Sequence, residues 1–200
     1  MATPIFLLSL PRSGSTLLQR VLATDARIAT ASEPWLMLPY VAAYSNLATF
    51  SEFGGGLAKV GIREFLESLP GGMSNYRECI ARFASSVYDL ASPTGAIYFL
   101  DKTPRYTLIA DELIKIFPDA KYVVLWRNPA AIVASMIESF YDGKWRIYSN
   151  HIDLFRGFEA LHDFAVKYRD RTLFIHYETF VKNPNDTLAS LADYLGLNEI

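Results

Sequence analysis

Cysteine is almost missing from this chain of 200 residues: Cys79 stands alone, which excludes an internal disulfide and any multi-cysteine metal site. Cys79 itself reads as a small apolar helix residue. Histidine is scarce too, with three in the chain, and no cluster of carboxylates stands out, so no metal is expected. No apolar run approaches the ~20 residues that a membrane span needs. The N-terminus has no charged segment leading into an apolar core, the mark of a secretory signal. An excess of positive charge is also lacking. With 19 Lys and Arg against 21 Asp and Glu, the formal net charge of −2 gives no general attraction to nucleic acid or to an anionic membrane. The expected setting is therefore the cytoplasm, and any anion site has to be local. Repeats, low-complexity segments and linkers are absent, and 51% hydrophobic content suits a single domain, residues 1–200, with a sizeable core.

What is present is an alternation of strands and helices. Residues 5–10 are nearly all apolar, as in a strand buried on both faces of a parallel sheet. The polar turn Pro11-Arg-Ser-Gly-Ser-Thr16 follows, and then a helix from near Ser15 to about Ala23. Further strands are predicted at 27–33, stopped by Pro34, and at 97–101, 121–126 and 172–176. Helices are predicted over 35–50, 62–69, 76–90, 106–117, 129–138 and 151–168, with Gly54-Gly55-Gly56 a flexible break. Asn128 and Pro129 form a helix start, and the 129–138 helix, apolar on most sides, is expected to be buried. A last helix has Asn183 as cap, Pro184 at its first position and Gly196 at its end. The alternation argues an α/β fold: three layers, with a parallel sheet of about five strands, right-handed crossovers and helices on both faces.

In such sheets the ligand crevice lies outside the carboxyl ends of the strands. The residues that fall there are Arg12, Glu33, Lys102, Arg127 and Tyr177, a set suited to one anionic substrate. A helix beginning near Ser15 points free N–H groups and the positive end of its dipole back into the turn, where Gly14 permits tight bending and Ser13, Ser15 and Thr16 offer hydroxyls. Arg12 adds a fork-shaped charge fit for two oxygens of one phosphate or sulfate. The Gly-Lys-Ser/Thr of the ATP-binding loop is not there. A plain Ser/Gly turn joining strand to helix is the alternative reading of this stretch. Trp35, Tyr40, Tyr141, Trp145 and Tyr148 are candidates for an acceptor wall, or equally for ordinary packing, and residues 140–150 look like a loop over a site.

Pro11-Arg-Ser-Gly-Ser-Thr16 resembles the 5′-phosphosulfate loop of sulfotransferases, which take the sulfuryl group from 3′-phosphoadenylyl sulfate (PAPS). Tyr122-Val-Val-Leu-Trp-Arg127 with Ser135 eight positions further on is similar to the 3′-phosphate site of that family, and Thr172 to Glu178 resembles its later strand and helix. The resemblance covers Pro4 to about Leu197 and implies a phosphate-loop NTPase-like sheet. It implies Arg12, Ser13, Gly14, Ser15 and Thr16 on the 5′-phosphate, Arg127 and Ser135 on the 3′-phosphate, and Tyr177 beside the nucleotide. Glu33 and the segment Lys102-Thr103-Pro104 look like the catalytic glutamate and lysine of tyrosylprotein and glucosaminyl 3-O-sulfotransferases. In that reading Glu33 is the general base, Lys102 and Arg12 meet the charge developing on the donor, and no metal is required. Glu33 as a strand-end carboxylate paired with a neighbouring cation is the alternative. The histidine base of the phenol and steroid enzymes has no counterpart in position, since His151, His162 and His176 fall late and read as structural.

Family members usually continue past the last helix into a basic, glycine-containing segment over the 3′-phosphate, whereas Ile200 stands four residues beyond Gly196. A missing C-terminal segment or a more open nucleotide site is expected. The acceptor would be a hydroxyl on a small molecule, a sugar or a peptide, with the oligomeric state left open. A phosphate-loop nucleotide kinase and a non-catalytic nucleotide-binding module remain the competing functions.

Overall fold

β1 (Thr3–Leu8) lies at the centre of a five-stranded sheet in the computed structural model, which describes residues 1–45, 47 and 54–200. Its neighbours are β3 (Tyr98–Asp101) and β4 (Lys121–Trp126), and β2 (Ile28–Thr30) and β5 (Thr172–His176) form the edges. The order is β2-β3-β1-β4-β5 and every pairing is parallel. All five carboxyl ends therefore meet at one rim. The fold is the α/β architecture that the strand and helix alternation implied.

Alternation along the central strand explains why helices cover both faces. Phe6 and Leu8 point to one side and Ile5 and Leu7 to the other, and all four are fully buried. On the first side they join Tyr122, Val124 and Phe99 with helices α2 (Met37–Ala42), α4 (Gly72–Ala91), α5 (Ala110–Ile116) and α7 (Phe158–Lys167). On the second, Val123, Leu125 and Leu100 pack against α1 (Ser15–Leu22), α8 (Tyr177–Lys182) and α9 (Pro184–Leu195). The remaining helices are α3 (Gly55–Ser68) and α6 (Pro129–Tyr141). Among the described residues no helix is long and apolar enough to cross a membrane.

Several elements differ from the sequence expectation. β2 ends at Thr30, so Glu33 sits in the following loop rather than on a strand. The predicted helix 106–117 divides into a 3-10 turn, Pro104–Ile109, and α5. Tyr106 is held there by its buried hydroxyl, which bonds to Asp101 and to the Met37 N–H. Of the predicted helix 35–50, only α2 is seen, and residues 46 and 48–50 lie outside the described residues. Gly55 and Gly56 open α3 instead of breaking the chain. The predicted helix 151–168 begins as a π-helical turn, Ile152–Gly157, and α8 was not anticipated. α6 is not buried as a whole: only Ile132 and Met136 are enclosed, in the core of the first side, and its other residues are half-buried or exposed. β5 is an edge strand, which leaves Phe174 and His176 exposed.

Four aromatic rings fix the centre of the first side. Phe6 has ring centroids of Phe117, Tyr122 and Tyr106 at 5.2, 5.6 and 6.2 Å. Truncating a buried Phe removes its transfer energy and leaves a cavity, together typically about 3–5 kcal/mol. Phe6→Ala is expected to lose stability on that scale in urea unfolding, and Phe6→Leu much less. Equal, small losses for the two would show that Phe6 is not the centre of this packing.

Candidate active site

The turn between β1 and α1 is built by two left-handed residues. Arg12 has φ 66°, an unusual value for a side chain of its size, and Gly14 has φ 87°. Gly14 is required twice over, since a Cβ there would stand 2.3 Å from Cε2 of Tyr177. The turn thus closes around the ring of a residue that enters from the far edge of the sheet. Backbone N–H groups of Leu17 and Leu18 turn back to the Gly14 carbonyl, which starts α1 with its free amides facing the turn. The Ser13 hydroxyl is 1% exposed and has no hydrogen-bond partner. A buried polar group without a partner is unusual and marks a place where a ligand oxygen would be favoured.

Arg12 leaves the turn sideways. Its Nε donates to Ser135 Oγ at 3.1 Å and its Nη2 to Ser139 Oγ at 2.8 Å, both on α6, and its guanidinium lies 5.5 Å from the Phe140 ring centroid. Arg127, just past β4, donates from Nη1 to the Arg12 carbonyl at 2.7 Å and stacks its guanidinium 4.5 Å from the Tyr177 ring centroid. Its buried Nε has no partner. Arg12, Ser135, Arg127, Tyr177 and Gly14 are therefore one contiguous patch, drawn from the ends of β1, β4 and β5 and from α6.

On the other side of the turn Lys102, immediately after β3, is 3% exposed. Its Nζ donates to Glu33 Oε1 at 2.7 Å and to Thr16 Oγ1 at 3.5 Å. Glu33 keeps a third of its side chain open. A nearly buried ammonium needs a counter-charge, and an uncompensated one typically costs about 3–5 kcal/mol. The Glu33 loop is in turn anchored from α1, where Gln19 Nε2 donates to Thr30 Oγ1 and to the carbonyls of Ala31 and Ser32 at 2.8, 2.6 and 3.1 Å. Gln19 escaped the sequence reading because an isolated amide on a helix gives no sign of its partner.

A cleft of about 530 Å³ opens in front of Glu33, lined by Pro11, Arg12, Ser15 and Thr16 from the β1–α1 turn and by Trp35, Pro104 and Phe140 as apolar walls. Its far end holds Asn150 and an ion pair, Arg105 Nε to Asp153 Oδ1 at 3.2 Å. Asp153 is buried because the π-helical turn carries it inward, and such widened turns recur at functional sites. Arg105, Asp153 and Phe140 are lining residues that the sequence reading did not single out. Of the candidate acceptor aromatics, Trp35 lines the cleft, whereas Tyr40 packs on Phe83 and Tyr141 bonds Asn150. Trp145 and Tyr148 stand exposed and do not line it. His151, His162 and His176 are all exposed and none lines the cleft. Among the described residues, no three His, Cys, Asp or Glu side chains gather as a metal site.

Asp101 ends β3 with no exposure at all. Its carboxylate accepts from Tyr88 Oη at 2.7 Å, Tyr106 Oη at 3.0 Å and Thr103 Oγ1 at 3.1 Å. Burial pushes its carboxyl up to about 6, against the opposing pull of those three bonds and of the Lys102 charge.

A parallel five-stranded sheet with an anion-type turn after its central strand, and cations at neighbouring strand ends, defines a phosphate-loop α/β protein. The chain belongs to the sulfotransferase family, whose sequence model it matches over residues 4–199. It is 37% identical over 133 residues to nodulation protein NoeE of Sinorhizobium fredii, an alignment that takes in 66% of this chain and 30% of that protein's length. The sulfotransferase domain from the curacin biosynthetic pathway superposes with a TM-score of 0.66 at 23% identity, covering 100% of this chain and 76% of that one. The mouse sulfotransferase SULT7A1 complexed with PAP superposes with a TM-score of 0.57 at 18% identity, covering 99% and 60%. At such identities the likeness is one of fold.

Asp101 makes stability depend on pH in a stated direction. Between about pH 4 and about pH 6 the folded chain holds a proton here that the unfolded chain has released, so this group's contribution falls as pH rises through that window and is level above it. The difference in unfolding free energy between the protein and Asp101→Asn is expected to carry that slope. A difference independent of pH from 4 to 6 would contradict the assignment.

Proposed function

We propose that residues 1–200 act as a single sulfotransferase domain that moves the sulfuryl group of PAPS to a hydroxyl of a small molecule, sugar or peptide. The observation that carries this reading is the place of Lys102 Nζ, between Glu33 Oε1 at 2.7 Å and Thr16 Oγ1 at 3.5 Å, under the wall that the phosphate turn shares with the cleft. Base, cation and anion turn converge on one point.

The residues present fit the nucleotide. Ser13 and the α1 amides would take the 5′-phosphate, with Gly14, Ser15 and Thr16 completing the turn, and the unpartnered Ser13 hydroxyl supports this. Arg127, with a free buried Nε, and Ser135 would hold the 3′-phosphate, and Tyr177 would lie beside the nucleotide. Arg12 links the two phosphate subsites, since it touches Ser135 through its side chain and Arg127 through its carbonyl. PAP bound to the mouse sulfotransferase supports a nucleotide of this kind in the pocket.

In this reading the acceptor hydroxyl enters the cleft beside Glu33. Glu33 takes its proton as the new oxygen–sulfur bond forms, and the bond from sulfur to the bridging 5′-phosphate oxygen breaks in line. The electron pair stays on that phosphate, where Lys102, the turn amides and Arg12 meet the added charge. Lys102 thereby exchanges Glu33 for the leaving oxygen, which frees the carboxylate for the acceptor. A sulfuryl group carries less negative charge than a phosphoryl group, so protein cations suffice for this transfer.

Glu33→Gln retains an acceptor oxygen for Lys102 but not its counter-charge, so the nucleotide-free variant is expected to lose stability, by up to about 3–5 kcal/mol, and to keep its affinity for adenosine 3′,5′-bisphosphate, while turnover of the folded enzyme falls by about 10²–10⁴-fold, the usual worth of a general base. Near-normal turnover in this variant would make Glu33 only the partner of Lys102. Calorimetry adds a second check: PAPS or adenosine 3′,5′-bisphosphate should bind without magnesium and ATP poorly. The reverse pattern would indicate a kinase, and nucleotide binding with no transfer to any acceptor a binding module.

The two phosphate subsites separate by a different pair of changes. Arg127→Ala and Ser135→Ala are expected to weaken adenosine 3′,5′-bisphosphate far more than adenosine 5′-phosphate, each by roughly the 1.5–3 kcal/mol of a charged hydrogen bond. Equal losses for both nucleotides would remove the 3′-phosphate assignment.

A further inference from the structure

We propose that Asp101 is the positioning residue that sets Glu33 and Lys102 in register, by orienting two hydroxyls that hold the chain just beyond Glu33; the inference rests on the roles of Glu33 and Lys102 given above. Glu33 and Lys102 come from loops after different strands, 69 residues apart, yet meet at 2.7 Å. Lys102 follows Asp101 directly. The Glu33 side is reached from the same carboxylate through two short relays. Thr103 Oγ1 donates to Asp101 at 3.1 Å and accepts from the Trp35 N–H at 3.3 Å. Tyr106 Oη donates to Asp101 at 3.0 Å and accepts from the Met37 N–H at 2.9 Å. Trp35 and Met37 lie two and four residues past Glu33, and Trp35 has φ 55°, a left-handed geometry that a bulky residue keeps only when its surroundings hold it.

The ionised carboxylate accounts for the direction of both relays. It accepts only, so each hydroxyl must aim its single hydrogen at Asp101 and turn its lone pairs to the backbone amide. No other residue type of this size does so. An Asn at this position has the same shape but brings an NH₂ group, which reverses at least one relay and leaves a hydroxyl hydrogen facing an amide hydrogen. A packed core has no need of such a group, since a buried carboxylate among neutral donors is expensive to desolvate. Tyr88 supplies the contrast: it bonds the same carboxylate at 2.7 Å from α4 but its hydroxyl bonds nothing in the Glu33 loop.

The test compares Asp101→Asn, Thr103→Val, Tyr106→Phe and Tyr88→Phe with Glu33→Gln. Turnover with PAPS, acceptor KM, affinity for adenosine 3′,5′-bisphosphate, urea stability and crystal structures would be measured for each. A misplacement of about 1 Å at a reacting group can lower turnover by about 10²-fold. Asp101→Asn and Thr103→Val are expected to lower kcat ten- to a hundredfold with KM and nucleotide affinity unchanged, to be non-additive in combination, and to lengthen the Glu33–Lys102 separation beyond 2.7 Å. Tyr88→Phe is expected to lose stability and keep kcat. If Asp101→Asn does not fold, the relay variants Thr103→Val and Tyr106→Phe decide the matter in the same way. Unchanged kcat with the Glu33–Lys102 contact intact in these variants would overturn the proposal, as would a kcat loss in Tyr88→Phe equal to theirs, which would mark a general effect of loosening. Failure of the base assignment reads differently: Glu33→Gln then keeps its turnover, while Asp101→Asn still displaces Glu33 from Lys102 in the crystal.

Discussion

An ammonium group at the rim of a parallel sheet, 3% exposed, has to be paired, and the pairing of Lys102 with Glu33 is the constraint around which the rest of the rim is arranged. Lys102 is fixed by β3, a strand between two others. Glu33 is not on a strand, so the loop that carries it is fastened from three directions: by Gln19 on α1, by Thr103 and by Tyr106. The number of these fastenings matches what is required of them, since a loop left to itself would not deliver one carboxylate to one buried cation.

A second constraint acts on the other side of the β1–α1 turn. Arg12 and Arg127 are joined through the backbone, the carbonyl of the first accepting from the guanidinium of the second. Hydroxyls of Ser135 and Ser139 and the ring of Phe140 surround the Arg12 guanidinium, and the Tyr177 ring lies on that of Arg127, while the nearby Glu178 carboxylate is held low first by the Asn128 N–H and also by the Arg127 charge. Cations compensated by hydroxyls and rings retain their pull on an anion, whereas carboxylate partners would cancel it. Lys102 differs in bonding a carboxylate directly, and in the proposed reaction that carboxylate has its own task.

Two kinds of residue escaped prediction, for two reasons. Helix limits moved where tertiary contacts overrode local preference. Tyr106 is drawn into a 3-10 turn by Asp101, and the helix before α7 widens around buried Asp153. α6 reads as buried from its composition, yet only two of its residues are enclosed, since apolar content reports that a helix can be buried and not that a neighbour covers it. Gln19, Arg105, Asp153 and the relay from Asp101 are long-range polar contacts. Gln19 bonds a hydroxyl 11 residues away, Arg105 and Asp153 are 48 residues apart, and the relay from Asp101 reaches Trp35 and Met37 from residues 68 and 69 positions further on, separations that no spacing rule connects.

The order of strands and helices, the turn Pro11 to Thr16 and the strand-end residues Arg12, Lys102, Arg127 and Tyr177 were determined by the sequence alone, because apolar periodicity, glycine and proline act over a few residues. That these residues share one rim also follows, since parallel strands put all their carboxyl ends on the same side. Only the tertiary structure decided how they are distributed: Arg12 turned onto Ser135 and Ser139, Tyr177 closed over Gly14, Glu33 brought to Lys102, and Asp101 buried beneath them. Those pairings depend on sheet order and register, β1 lying between β3 and β4, and a choice of neighbours among distant strands is made by packing the whole core rather than by any local signal.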